Sequence, residues 1–180
     1  LVFSLWLAAP WIAWQISQPI VSERPSLKPG QTRFLRRTAR STWRYFETFV
    51  TEAENWLPPD NFQEQPAPLV ASRTSPTNIG LTLLANLAAC DFGYLPPGGL
   101  IQRTRQTLAA MERLDRHRGH FYNWYETRTL KPLLPLYVSS VDSGNLAGHL
   151  LTLASGLAEM PGHRLLPPQL AAGLRDTSAV

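Results

Sequence analysis

Apolar residues recur at spacings of three and four in four stretches, each closed by proline or glycine, and this pattern confines most of the chain to helices. From Gln31, the positions Leu35, Ala39, Thr42, Phe46, Phe49, Val50 and Ala53 trace one face of an amphipathic helix predicted to run to about Glu54, before Pro58 and Pro59. Ser75 followed by Pro76 reads as the N-cap and first position of a second helix, running through Leu81, Leu84, Leu87 and Ala88 to a stop at Gly93. It is apolar on nearly all sides and is expected to be buried. After the Pro96-Pro97-Gly98-Gly99 break, a more polar helix with a stripe of Leu100/Ile101, Thr104, Leu108, Met111 and Leu114 is expected to end at Gly119. A fourth, apolar helix follows Asp142 through Leu146, Leu150, Leu153 and Leu157 to near Pro161, with Gly144, Gly148 and Gly156 admitting close packing. Short strand propensity is confined to Phe121–Tyr125 and Leu136–Val138.

The order is therefore polar-faced helix, long loop, buried helix, twice over. A repeated helical hairpin of this kind predicts an all-α fold, an α/α toroid whose inner helices begin at a shared cleft and of which only the first hairpins are present. A plain helical bundle is the alternative. Residues 31–180 form the N-terminal part of the toroid on this reading, since six hairpins need more than 180 residues.

Composition removes several other classes. A chain of 180 residues with 44% hydrophobic content can bury one ordinary core, so a disordered or collagen-like protein is excluded. Seventeen Lys+Arg against thirteen Asp+Glu leave only +4, too little to argue nucleic-acid binding. The single cysteine, Cys90, rules out an internal disulfide and a Cys-based zinc site, and is expected as a small core residue. His120 and His149 have no companion at metal-ligand spacing, so no metal site is expected.

The positive charge is concentrated in Arg24, Lys28, Arg33, Arg36, Arg37, Arg40 and Arg44, with no acidic residue in that stretch. Before it, Leu1 to Ile20 is uncharged and carries Trp6, Trp11 and Trp14. We read 1–20 as the end of a transmembrane helix, its hydrocarbon part ending near Ile16 and its start upstream, and 21–30 as a basic juxtamembrane linker. A chain that opens at Leu1 with an apolar segment already under way reads as a piece of a longer polypeptide. A signal peptide would need a basic start and a cleavage motif, which are missing; a buried core helix is the other reading. Lys and Arg beyond a membrane exit mark the cytoplasmic side and attract anionic lipid headgroups. The same cluster also suits a solvated helix face, and with Trp43 and phenylalanines interleaved a nucleic-acid patch is a further alternative; membrane lipid is the expected partner and nucleic acid is not.

Four loop segments gather aromatic rings beside Asn, Ser, Asp, Glu and Arg. Their candidate binding residues are Trp56, Asp60, Phe62, Glu64, Arg73, Ser75, Thr77, Asn78, His120, Tyr122, Asn123, Trp124, Tyr125, Ser139, Ser140, Asp142 and Asn145. Such a mixture suits sugars, whose rings present C–H faces to aromatics while their hydroxyls need directional polar partners. Core packing explains the aromatics equally, and caps and turns explain Ser and Asn. Glycoside chemistry requires two carboxylates; the loops offer Asp60, Glu64, Glu126 and Asp142, of which Asp142 and Asp60 are the catalytic candidates, and Asp142 also suits an N-cap.

Five strings carry a resemblance: Trp43–Val50, Asn55-Trp56-Leu57-Pro58-Pro59-Asp60-Asn61-Phe62-Gln63-Glu64, Arg73-Thr74-Ser75-Pro76-Thr77-Asn78-Ile79-Gly80-Leu81, Gly119–Tyr125 and Tyr137–Gly148. Together they resemble the middle region of cyclic β-1,2-glucan synthases, and the apolar opening is similar to the membrane helix preceding it. The resemblance implies a bacterial inner-membrane protein with its soluble part facing the cytoplasm. It also implies a six-hairpin, glycoside-hydrolase-like toroid that cyclises linear β-1,2-glucan by transglycosylation. On the same basis UDP-glucose is the donor for the whole enzyme, no cofactor belongs to this fragment, and the remaining domains of the polypeptide are its partners. The main catalytic carboxylates are expected beyond Val180, so the fragment alone is expected to be inactive. The competing class is a non-catalytic membrane-tethered glycan-binding or structural helical domain.

Overall fold

Helices supply nearly all regular structure in the computed structural model, which describes residues 2–18, 26–160 and 169–180. They are α1 (Val2–Ile16), α2 (Pro29–Phe49), α3 (Pro76–Phe92), α4 (Pro97–Glu112), α5 (Ser140–Glu159) and α6 (Gln169–Ser178). Three two-residue antiparallel pairs join the loops: β1 (Phe62–Gln63) with β2 (Leu69–Val70), β3 (Arg73–Thr74) with β6 (Tyr125–Glu126), and β4 (Arg116–His117) with β5 (His120–Phe121). The chain divides into two units, Leu1–Thr32 and Arg33–Val180.

In the first unit, α1 stops at Ile16, where the sequence places the end of the apolar run. No helix among the described residues is long and apolar enough to cross a membrane; α1 has 15 residues, where a crossing takes about 20. Its Phe3, Trp6, Leu7, Trp11 and Ile16 are exposed. Arg24 and the first half of the expected linker, residues 21–25, lie outside the described residues, as do Pro19, Ile20 and the Pro161 stop.

The second unit is organised around α3. Ser75 caps it by accepting the Asn78 N–H at 3.2 Å, Pro76 opens it and Gly93 closes it in the left-handed region at φ 79°. This helix packs most extensively against α5 and less against α4 and α6. Close approach is made by Gly80 beneath His149 and by Gly156 beneath Leu87. Gly144 and Gly148, read as packing glycines, have open space where a side chain would stand. Leu57, Ile79, Leu83, Met111, Leu114, Tyr125, Leu146 and Leu153 form the core, each large aliphatic among them contributing about 1.5–3 kcal/mol by leaving water.

Two helix ends differ from the sequence reading. The helix predicted to reach Glu54 stops at Phe49, followed by a short 3-10 turn (Glu52–Glu54) and two left-handed residues, Asn55 and Trp56. At this end Arg103 of α4 donates to the Phe46 carbonyl at 2.8 Å, which also accepts the Val50 N–H at 3.1 Å, and to the Val50 carbonyl at 3.3 Å, which a longer helix would have used internally. Glu54 is only 5% exposed and takes Ser72 at 3.0 Å, Arg128 at 3.1 Å and Thr127. Helix α4 ends at Glu112, and Gly119, expected to terminate it, instead turns the β4–β5 hairpin at φ 88°. No strand forms at Leu136–Val138.

The basic cluster is partly spent inside the protein. Arg36 bonds Asp176 at 2.7 Å, and Arg40, 8% exposed, donates to Glu47 and Thr177, both at 2.9 Å. Arg33, Arg37 and Arg44 are exposed.

Candidate functional site

The first turns of α3 and α5 lie side by side at the same end of the unit. Thr77 donates to Asp142 Oδ1 at 2.6 Å, and Asn145 donates to Thr77 at 3.1 Å. Because Gly80 meets His149 and Leu87 meets Gly156 further along, the two helices run parallel and both direct their N-terminal partial positive charge to this end.

Asp142 is not the N-cap. Ser139 holds that position, its Oγ accepting the Asp142 N–H at 3.1 Å, so the Asp142 carboxylate is left to reach across to α3. Burial alone would raise its pKa, but hydrogen bonds from Ser139, Thr77 and Ser75 outweigh that and hold it below the ordinary 3.8. An ionised Asp142 also fixes the amide of Asn123. With a carboxylate on one side and two donors on the other, only one amide orientation is satisfied. In it Asn123 donates to Asp142 Oδ2 at 2.8 Å and its oxygen accepts from Trp124 Nε1 at 2.6 Å and the Tyr137 hydroxyl at 2.7 Å.

A second carboxylate adjoins this network. Asp60 Oδ2 receives Arg73 at 3.0 Å and Asn61 at 3.0 Å, while its Oδ1 receives Asn78, the neighbour of Thr77, at 3.3 Å. Arg73 also lies 5.2 Å from the centre of the Trp124 ring, a cation–π contact worth about 0.5–1 kcal/mol at an exposed site. The β3–β6 pairing brings these residues together by setting Arg73 opposite Glu126 and Thr74 opposite Tyr125. Asp60, Arg73, Thr77, Asn78, Asn123, Trp124, Ser139, Asp142 and Asn145 therefore form one connected group.

The other candidates are placed elsewhere. Tyr125 is fully buried, its hydroxyl accepting Tyr122 N–H and donating to the Asp115 carbonyl, both at 2.7 Å; burial pushes its pKa up to about 12. Ser75 is the exception: it caps α3 and its hydroxyl also bonds Asp142. Tyr122 packs edge-on to Tyr125, and Phe62 lies 4.8 Å from Phe49 between ring centres. Trp56 sits in the left-handed turn with its carbonyl bonded to Thr107 at 2.9 Å. His120 and Glu64 are exposed, on the β4–β5 hairpin and the 61–69 loop, and Ser140 is the exposed first residue of α5. Glu126 is turned into its own loop: burial raises its pKa, but bonds from Thr129 and Arg128 prevail and lower it. Cys90 is half-buried and its thiol pKa is pushed up, chiefly by burial. No metal-ligating cluster occurs among the described residues.

One residue escaped the sequence reading: Glu54 sits in a run of acidic and apolar residues that gives no sign of burial. Asn123 is a sequence candidate, but its contacts are to residues 14 and 19 positions away.

Comparison with known proteins then bears on what this group serves. Cyclic beta-(1,2)-glucan synthase NdvB of Rhizobium meliloti (strain 1021) is 51% identical over 152 residues, covering 84% of this chain. The chain is homologous to a segment of that synthase. It spans only 5% of the relative's length. No protein-family model matches. Among solved structures, a glucoamylase candidate from Bacteroides fragilis matches with TM-score 0.60 and 20% identity, over 87% of this chain and 37% of its own. An endo-beta-1,2-glucanase from Chitinophaga pinensis, in complex with sophorotriose and glucose, matches with TM-score 0.58 and 16% identity, over 85% and 36%. These likenesses show a mostly helical, glucoamylase-like fold.

Proposed function

We propose that the chain forms the opening hairpins of an α/α toroid that binds β-1,2-linked glucan at the paired N-termini of α3 and α5. The toroid would belong to a longer polypeptide that closes linear β-1,2-glucan into rings by transglycosylation. The observation that carries this reading is the Asp142 carboxylate, held ionised between Thr77 and Asn123 with the Trp124 ring beside it. A charged acceptor of this kind takes hydrogen bonds from sugar hydroxyls more strongly than a neutral one, and an aromatic ring covers the apolar sugar face. The parallel α3–α5 pairing supports a toroid over a bundle in which consecutive helices pack most closely, since here α3 favours α5 over α4.

Ring closure requires a proton-donating acid as well as an acceptor. Asp142, held ionised, is suited to accepting, and Asp60 is already engaged by Arg73, Asn61 and Asn78. The chain's residues thus bind and orient the glucan, and the principal catalytic carboxylates are assigned to the polypeptide beyond Val180. UDP-glucose is the proposed donor of the whole polypeptide, used outside this chain. The exposed, tryptophan-bearing α1 and the exposed Arg33, Arg37 and Arg44 support membrane lipid as a partner and a bacterial inner-membrane location with the toroid on the cytoplasmic side.

The engagement of both carboxylates by neighbouring donors favours one other reading, a membrane-tethered glycan-binding domain with no transferase chemistry. Asp142→Asn in the full-length polypeptide separates the two. The synthase reading expects cyclic product formation to fall at least about tenfold with expression and melting temperature little changed; unchanged cyclisation would contradict it.

A further inference from the structure

Tyr137 stands outside the residues so far given a role at the site, yet it is clamped to it at two points. Its carbonyl accepts the Asn123 N–H at 2.9 Å, and its hydroxyl donates to the Asn123 side-chain oxygen at 2.7 Å. Asn123 is 6% exposed, so this oxygen lies behind the surface. It also accepts Trp124 Nε1, which uses both of its lone pairs. The polar ends of two adjacent aromatic side chains are therefore both turned inward and consumed. With its hydroxyl so engaged, Tyr137 remains 47% exposed as a residue, and Leu136 beside it is exposed to a similar degree, 49%.

An exposed ring on a solvated loop is ordinarily free to turn; this one is held by its hydroxyl, so docking something flat against it costs little further ordering. The matching surface is the C–H face of a pyranose. We propose that Tyr137 is a second stacking platform of the glucan site, receiving a glucosyl unit next to the one at Trp124. This rests on the glucan reading above. Asn123, buried and bonded through both its amide oxygen and its amide nitrogen, then acts as the positioning residue that sets both rings and Asp142 rather than as a sugar ligand.

The test is calorimetric titration of linear β-1,2-gluco-oligosaccharides into the chain and its Trp124→Ala, Tyr137→Ala, Tyr137→Phe and Tyr137→Leu variants. Tyr137→Ala and Tyr137→Leu should each weaken binding about tenfold, the loss of one stacked ring, while Tyr137→Phe stays within about threefold because the ring face is kept. If Tyr137→Ala loses its helical circular dichroism, the Phe and Leu variants decide. Binding by Tyr137→Leu equal to that of the unaltered chain overturns the platform, and so does Tyr137→Phe binding as poorly as Tyr137→Leu, which would assign the contact to the hydroxyl. In either case a weakened Trp124→Ala variant leaves the glucan reading standing. An unaltered chain that binds no β-1,2-glucan overturns both.

Discussion

At the first turn of α5, the Asp142 carboxylate is stabilised in its charged form by more than its burial costs it, so its pKa in the folded chain lies below 3.8. Above that value both folded and unfolded chains carry the charge, and the contribution to stability is fully present. As pH falls below it, the unfolded chain takes up the proton first and the contribution is progressively lost until the folded pKa is passed. Acid titration of thermal stability should therefore show a smaller drop below pH 4 in Asp142→Asn than in the unaltered chain, measured by circular dichroism; identical acid limbs would show that the network around Asp142 adds nothing. The sequence made Asp142 visible as a residue near a helix start, but not its orientation. Ser139 and Asp142 both have N-cap chemistry, and only the three-dimensional placement of Thr77 decides which caps and which reaches out. For Tyr125 the reverse holds: an aromatic among polar neighbours reads as a ligand, and its burial follows from the β3–β6 pairing that no local signal announces.

Between elements, the contact that most constrains the site is the approach of α3 to α5. A Cβ at Gly80 would lie 2.3 Å from His149 Nδ1 and 2.9 Å from its Cβ, and that nitrogen is buried without a hydrogen-bond partner. Gly80→Ala should consequently destabilise the chain by about 1–3 kcal/mol through overpacking, and adding His149→Ala should recover part of that loss. Chemical denaturation of the single and double variants checks it, and strictly additive losses would remove the contact as the cause. Most elements were readable from the chain because caps, breakers and helical spacing agree with one another, as they do at Ser75, Pro76 and Gly93. Where an end is set by a distant side chain the reading fails. Val50 and Ala53 keep the helical spacing, but Arg103, more than fifty positions away, takes the Val50 carbonyl that would have continued α2. The glycines of α5 misled for a similar reason, since Gly156 alone among the three faces a neighbour.

For the whole molecule, the central claim is that the end shared by α3 and α5 recognises β-1,2-linked glucose. Homology to a segment of the synthase supports it, and the connected group from Asp60 to Asp142 offers polar and aromatic partners suited to a sugar. The most direct measurement is the two-dimensional proton–nitrogen NMR spectrum of the chain's six tryptophan indoles, with Trp124 assigned through Trp124→Phe, on titration with linear β-1,2-gluco-oligosaccharides and separately with β-1,4-linked ones of equal length. The Trp124 Nε1–H signal, bonded to Asn123, should move progressively with the β-1,2-linked sugar while the remaining indoles and the β-1,4 titration stay nearly flat. A Trp124 signal that does not move, or that moves equally with both linkages, would contradict the account.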